Sequence, residues 1–323
     1  MSNYAISIGG SGSRCIESLI FMCAAGLGPK EMNVIFVDPD QSNGNLSKAK
    51  ELLNLYNDTR KKMFESGIEF RQGDYFYTEF ISRTSDTWVI FEKSNSTLKD
   101  FINYSLLEDA EAEYINTLYS KEELETPLNE GFRGHPSIGA LVMSLVDFSK
   151  EPWIGLWNSM NSVQVARGTK IFLFGSIFGG TGASGLPTLA HVIKTRPEVK
   201  LNNQESKVDL GGTLLLPYFT FEMPDPEKVK EKGMFVTAHD FPLAAKAALN
   251  YYFTKKIAYD DVYLLGEVSE KELGKFSTGR AEQKNRSHHI ELLAALSSLD
   301  FYHYQRPKNQ TGTNYLIASR KRR

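Results

Sequence analysis

Lys170-Ile-Phe-Leu-Phe-Gly-Ser-Ile-Phe-Gly-Gly-Thr-Gly-Ala-Ser-Gly185 is the stretch from which the architecture of this chain can be worked out. Lys170–Phe174 is a short apolar, β-capable run, and Gly175–Gly185 is a glycine-rich turn that passes into a helix over Leu186–Lys194. A turn of this kind carries a physical signature. Glycine allows φ > 0 and close approach of the backbone, and the unpaired N–H groups at a helix start favour anions. Thr181 and Ser184 add hydroxyl donors. The beginning of the chain repeats the pattern. Tyr4–Ile8 reads as a strand, Gly9-Gly-Ser-Gly-Ser-Arg14 as the turn, and Arg14–Leu27 as a helix with Ile16, Leu19, Ile20 and Cys23 at helical spacing. Two such turns at strand carboxyl ends would converge on one crevice and form a phosphate-binding site from Gly10, Ser11, Gly12, Ser13, Arg14, Gly179, Gly180, Thr181, Gly182, Ala183 and Ser184.

The remaining segments extend the alternation. Gly26 and Gly28-Pro29 end the first helix, Asn33–Val37 is a second buried strand, and Asp38–Asn45 is a polar turn at its carboxyl end. Asp38 and Asp40 there could hold Mg²⁺ through waters, since hard cations take oxygen ligands, or could simply cap the turn. Helices are expected at Ser137–Phe148, Trp153–Val165, Phe241–Tyr252 and Ser287–His303, with strands at Val208–Leu216 and Asp261–Leu265. Continuous apolar strands alternating with helices predict an α/β fold: a doubly wound, mostly parallel, Rossmann-like sheet with helices on both faces. The stretch of about 49–129 reads as an α/β insertion, its aromatic residues forming either a partner surface or a small core. Residues 1–305 then make one nucleotide-binding domain, and 306–323 a basic C-terminal tail or truncated linker.

Composition narrows the function classes. The 323 residues carry 37 Lys and Arg against 39 Asp and Glu, a net charge of −2. That balance lacks the footprint of a nucleic-acid binder. The two cysteines make no disulfide framework, and Cys15 reads as a small core residue rather than a nucleophile. Met1–Gly10 has no basic leader and no apolar run approaches a membrane span, so a soluble, cytoplasmic protein is expected. There is no G-x-x-x-x-G-K-[S/T] and no G-x-S-x-G, which removes the Walker-type NTPases and argues against an α/β-hydrolase. His288-His-Ile-Glu291 has neither zincin spacing nor a third ligand and reads as helix surface. Gly10-x-Gly12 followed by Asp38 also permits an NAD(P)-binding enzyme, although that fold does not ask for a second glycine turn. A non-catalytic interaction module is the third reading. A bulky side chain at Gly182 is expected to block phosphate approach while leaving the fold intact.

The order of these loops resembles the tubulin/FtsZ superfamily, as a divergent bacterial tubulin-like GTP-binding domain. Gly179–Gly185 is a close variant of that family's G-G-T-G-[S/T]-G turn, and Gly9–Arg14 is similar to its first phosphate loop. Gly134-His-Pro-Ser-Ile-Gly139 resembles the loop that senses the γ-phosphate, implying a role for Gly134, His135 and Gly139. Leu216–Glu222 is similar to the ribose-proximal loop, implying Pro217 and Glu222. The base would be read near the start of the Ser287–His303 helix, where Asn285, His288 and Glu291 are the candidates. The family's base-reading Asn is replaced by Gly266-Glu267, and 306–323 offers no counterpart of its second domain or of the loop that completes a neighbour's site. The resemblance therefore implies GTP/GDP binding, hydrolysis that is slow or partner-dependent, and self-assembly into a homo-oligomer or filament, with no membrane or nucleic-acid partner and a further protein partner possible through 49–129.

Overall fold

The computed structural model describes residues 2–81, 87–88, 96–128, 132, 135–161, 168–195, 208–222, 240–257, 259–267, 271–275, 285–304 and 312–319. Strands β1 (Ser2–Ile8), β2 (Glu31–Val37), β3 (Glu79–Phe80), β4 (Thr87–Trp88), β5 (Thr169–Ser176), β6 (Val208–Leu215), β8 (Asp261–Gly266) and β10 (Asn314–Ser319) form one sheet. Its order is β10-β8-β6-β5-β1-β2-β3, with β4 also on β2, and the pairs are parallel. Strands β7 (Phe219–Glu222) and β9 (Lys271–Lys275) pair separately. Chain order runs outward in one direction from β1 and in the other from β5, and these two strands are neighbours. The strand order therefore switches between β1 and β5, where a doubly wound sheet opens its crevice.

Helices cover both faces, as side-chain alternation along β5 shows. Phe172 stacks on Phe301 of α10 (His289–His303) at 5.4 Å, whereas a side chain at Gly175 would meet Leu186 of α8 (Gly180–Thr195) at 3.2 Å. Helix α1 (Gly9–Ala24) packs beside α10 and α2 (Gly44–Glu65), and α6 (Pro136–Ser144) lies on α8. The buried strands Ile6, Ile8, Ile171, Leu173 and Phe174 fill the space between, each burial contributing about 1.5–3 kcal/mol. The remaining described helices are α3 (Leu98–Phe101), α4 (Asp109–Leu118), α5 (Lys121–Leu124), α7 (Trp153–Asn161) and α9 (Phe241–Lys255).

Two polar side chains set the lie of α10. The buried Lys170 ammonium of β5 donates to the Phe301 and Tyr302 carbonyls at 2.9 and 3.0 Å and to the Tyr304 carbonyl. A cation on the last carbonyls of a helix is favourable both as cap and against the macrodipole. Tyr302 donates to the Tyr4 carbonyl of β1 at 2.8 Å. With its C-terminal end fixed at the strand amino ends, α10 brings its start to the carboxyl ends, beside the glycine turns.

Several expectations change. Both helices begin inside the glycine turns, at Gly9 and Gly180, rather than after them. The first turn of a helix needs no side chain, and glycine there lets it sit hard against a strand. In 49–129, α2 packs on α1 and β3 and β4 extend the main sheet, so this part is continuous with the larger fold. Within 306–323, the run Asn314-Tyr-Leu-Ile-Ala-Ser319 is a strand on β8 rather than tail; the basic residues after it masked a short apolar signal. Among the described residues, no helix is long and apolar enough to cross a membrane.

Candidate functional site

The two glycine turns meet. A side-chain carbon built on Gly9, which has φ of 70°, would lie 3.2 Å from Thr181 Cβ and 3.8 Å from the Gly182 nitrogen. The amino ends of α1 and α8 thus face one crevice. Helix α1 has no side-chain cap, and neither helix has an acidic residue in its first turn. Their leading N–H groups keep the partial positive charge that such ends carry.

Burial sorts the residues of the turns into two groups. Gly10, Ser11, Gly179, Gly180, Thr181 and Ala183 are partly open to solvent. Gly12, Ser13, Arg14, Gly182 and Ser184 are buried in the protein's own packing. Gly12 is needed because a Cβ there would stand 2.6 Å from the Phe174 carbonyl oxygen, and Gly182 because one would stand 2.3 Å from the Ser176 carbonyl oxygen. A substitution at Gly182 therefore collides with backbone, so the expectation that it spares the fold is corrected. Ser13 hydrogen-bonds Ser7 and the Gly9 carbonyl, and Ser184 donates to the Gly180 and Thr181 carbonyls.

Arg14 is engaged elsewhere than at a phosphate. Its guanidinium forms an ion pair with Glu291 of α10 and donates to the Arg286 carbonyl at 2.9 Å, with the Tyr218 and Phe219 rings 5.9 and 5.7 Å away. Glu291 also accepts from the Tyr218 hydroxyl at 2.9 Å and the His288 N–H at 2.8 Å. Burial raises the Glu291 carboxyl above its ordinary range, opposed by the neighbouring Arg14 cation. This buried network ties the first glycine helix to α10.

The polar turn after β2 forms a side wall. Asn43 caps α2, its Oδ1 accepting from the Asn45 and Leu46 N–H groups at 2.9 and 3.3 Å. A Cβ on Gly10 would lie 3.3 Å from Nδ2 of both Asn43 and Asn45. Asn45 Oδ1 accepts from the Asn285 N–H at 3.0 Å, which joins this wall to the start of α10. Asp40 accepts from the N–H and hydroxyl of Ser42. Asp38 accepts the Asp40 N–H at 3.0 Å through one oxygen, while Oδ2 is buried with no hydrogen-bond partner among the described residues. Burial pushes the Asp38 carboxyl up to about 8.

The other expected residues spread around this centre. His135 starts α6 and its Nδ1 lies 3.2 Å from Glu123 Oε1. Gly139 is inside α6, where a Cβ would meet Ser184 Oγ at 2.2 Å; it permits close packing of α6 on α8 and is buried away from the crevice. Gly134 lies outside the described residues. Pro217 is half-buried beyond β6, and Glu222 ends β7. His288 caps α10, its Nδ1 accepting the Ile290 N–H at 3.3 Å. Beside Gly179, a groove of about 470 Å³ runs between Pro136, Ser137, Ala183, Ala244 and Tyr251. Sequence reasoning missed Asn43, Asn45, Tyr218 and Glu267. The Asn-x-Asn spacing was a readable signal for the first two, but the others become neighbours only through the fold. Burial holds the thiols of Cys15 and Cys23 above their ordinary range, consistent with core residues.

No protein-family model matches the chain, and no curated protein matches it. Among solved structures it is similar to members of the tubulin/FtsZ superfamily. One is CetZ2 from Haloferax volcanii, a GTPγS-bound protofilament, at 14% identity and TM-score 0.42 over 93% of this chain and 58% of that one. CetZ from Methanosaeta thermophila gives 12% identity and TM-score 0.40 over 93% and 53%. TubZ of Clostridium botulinum phage c-st gives 13% and 0.34 over 93% and 60%. The chain thus spans little more than half the length of these proteins. The likeness is a distant one of fold.

Proposed function

We propose that this chain binds a nucleotide through its phosphates, with GTP preferred, and hydrolyses it slowly or only with a partner. The observation that carries the reading is the contact between two acid-free helix starts, Gly9 against Thr181, at the switch point of a parallel sheet. The leading N–H groups at Gly10–Ser11 and Gly180–Thr181 would hold phosphate oxygens, and the amide groups of Asn43 and Asn45 stand beside them. The unpartnered Asp38 Oδ2 fits a hydrated Mg²⁺, with Asp40 next to it. A bound Mg²⁺ would neutralise phosphate charge. Glycine at position 10 keeps the floor open, since any side chain would press on both asparagine amides. Phosphoryl transfer needs a positioned in-line water and charge stabilisation. Arg14 is committed to Glu291, so slow turnover by the isolated chain follows. The proposed reading extends to self-assembly; CetZ2, one of the similar structures, is a protofilament.

The test is a titration with fluorescent GTP, ATP and NAD⁺ analogues of the wild type and Ser11→Asp. An acid in the first turn of α1 interacts favourably with the helix dipole, by about 0.3–1 kcal/mol, yet repels phosphate. Expected are unchanged or higher thermal stability and at least a tenfold loss of GTP affinity. Wild-type affinity in the variant, or NAD⁺ binding in preference to GTP, overturns the reading.

A further inference from the structure

Outside the glycine turns, at the carboxyl end of β8, Glu267 faces the two histidines that begin α10. Its Oε2 lies 3.3 Å from His289 Nε2 and 3.7 Å from His288 Nε2, and the three donor atoms fall within 4.8 Å of one another. Two donors on one tetrahedral zinc, each at about 2.0–2.1 Å, are separated by about 3.3–3.4 Å. The spacing is therefore close to that of a shared first coordination sphere.

The local backbone explains the convergence. His288 is the extended N-cap of α10, with φ −123° and ψ 148°, and His289 is the first helical residue. The change of conformation between them lays the two rings side by side, 4.3 Å apart at 32°. The His288 N–H bond to Glu291 fixes the helix start, and the ring of Tyr218 lies 5.0 Å from that of His288. The Glu267 and His288 side chains are 9% and 7% exposed, while that of His289 is 47% exposed. Two donors are thus held inside and one stands at the mouth, which leaves a coordination position facing out.

We propose that Glu267, His288 and His289 bind a first-row divalent transition metal of the zinc class, with at least one position open to water or a ligand. Two imidazoles and one carboxylate suit zinc, cobalt, nickel or iron(II) and do not suit Mg²⁺ or Ca²⁺, which take oxygen donors. The third ligand, absent from the His288–Glu291 segment itself, arrives from Glu267 at the end of a strand. Metal on His288 Nε2 places the ring proton on Nδ1, so the 3.3 Å bond from the Ile290 N–H is given up and the Glu291 half of the capping box keeps the helix start.

The untagged chain, stripped with chelator and free of nucleotide, is titrated with Co²⁺ and then with Zn²⁺. Expected is saturable uptake of one Co²⁺ with the strong visible absorption of low-coordinate cobalt, bleached by Zn²⁺. Loss of a residue that only orients a metal ligand costs about 10–100-fold in affinity, so His289→Ala and Glu267→Gln should each lose at least that much. His289 is exposed, and its removal should leave the circular dichroism spectrum and melting temperature of the apo chain unchanged. Absence of saturable Co²⁺ uptake, or wild-type uptake by either variant, overturns the assignment. Because no nucleotide is present, either outcome leaves the phosphate-site reading untouched.

Discussion

Replacing Arg14 and Glu291 singly and together distinguishes a structural ion pair from a phosphate ligand. Both residues are buried, at 3% and 0% exposure. Removing one partner of a buried pair typically costs about 3–5 kcal/mol, because the other is left charged. The two losses should be unequal here. In Glu291→Gln, Arg14 keeps one carbonyl, that of Arg286, and two ring faces, and a guanidinium cannot shed its proton. The full cost of about 3–5 kcal/mol is expected. In Arg14→Met, Glu291 keeps the Tyr218 hydroxyl and the His288 N–H, and its carboxyl, already raised by burial, can take up a proton. That variant should lose less, about 2–3 kcal/mol. The double variant removes both charges and should be no less stable than Glu291→Gln, giving a coupling of about 2–3 kcal/mol. Urea unfolding of the four proteins measures it, and fluorescent-GTP titration of the double variant should show near wild-type affinity. Additive losses would show that the pair does not act as a unit. A restored fold with lost affinity would show that Arg14 serves a phosphate after all.

The remaining predictions concern the neighbouring positions. With a folded pKa of about 8 against an unfolded value near 4, Asp38 binds its proton more tightly in the folded state, so its contribution to stability is lost as pH rises between those values. Asp38→Asn should flatten the decline seen by urea unfolding of the ligand-free chain, by up to several kcal/mol at about 1.4 kcal/mol per unit, and an unaltered pH profile would refute the cause. Gly182→Ala should cost about 1–3 kcal/mol or more through collision with Ser176, whereas Gly179→Ala, whose nearest neighbour is Ser176 Oγ at 3.5 Å, should melt like the wild type; equal melting temperatures for the two variants would contradict the packing argument.

What could be read from the sequence follows from how local each feature is. The strands β1, β2, β5, β6 and β8 are apolar runs, and the glycine turns sit where strand periodicity gives way to helical periodicity, so the parallel α/β sheet was legible. Strands β3 and β4 have two residues each, and β10 precedes a basic cluster; such segments gain their stability from pairing with β2 and β8, not from propensity. Side-chain roles were less legible than backbone ones. Arg14 beside a phosphate-type turn carries the same letter whether it points at the crevice or at Glu291, which lies in an element at the far end of the chain. Gly12 and Gly182 were read as ligand-facing, yet the backbone of β1 and β5 is what requires them.

The same division bears on the function. The crevice is built from N–H groups and helix ends, and groups of this kind favour a phosphate whatever base is attached to it. Selection of a base must come from side chains, and the ones closest to the start of α10 are already occupied. Glu291 holds Arg14 and Tyr218, and Asn45 holds the Asn285 N–H. His288 and Glu267 are drawn together with His289. A nucleotide bound as proposed and reaching that end of the crevice would meet the imidazole–carboxylate cluster at the end of β8. Measuring nucleotide preference with and without Zn²⁺ therefore asks one question of both proposals: a preference that changes when the metal binds would mean that the cluster lies within reach of the base, and one that stays fixed would place it outside the nucleotide site.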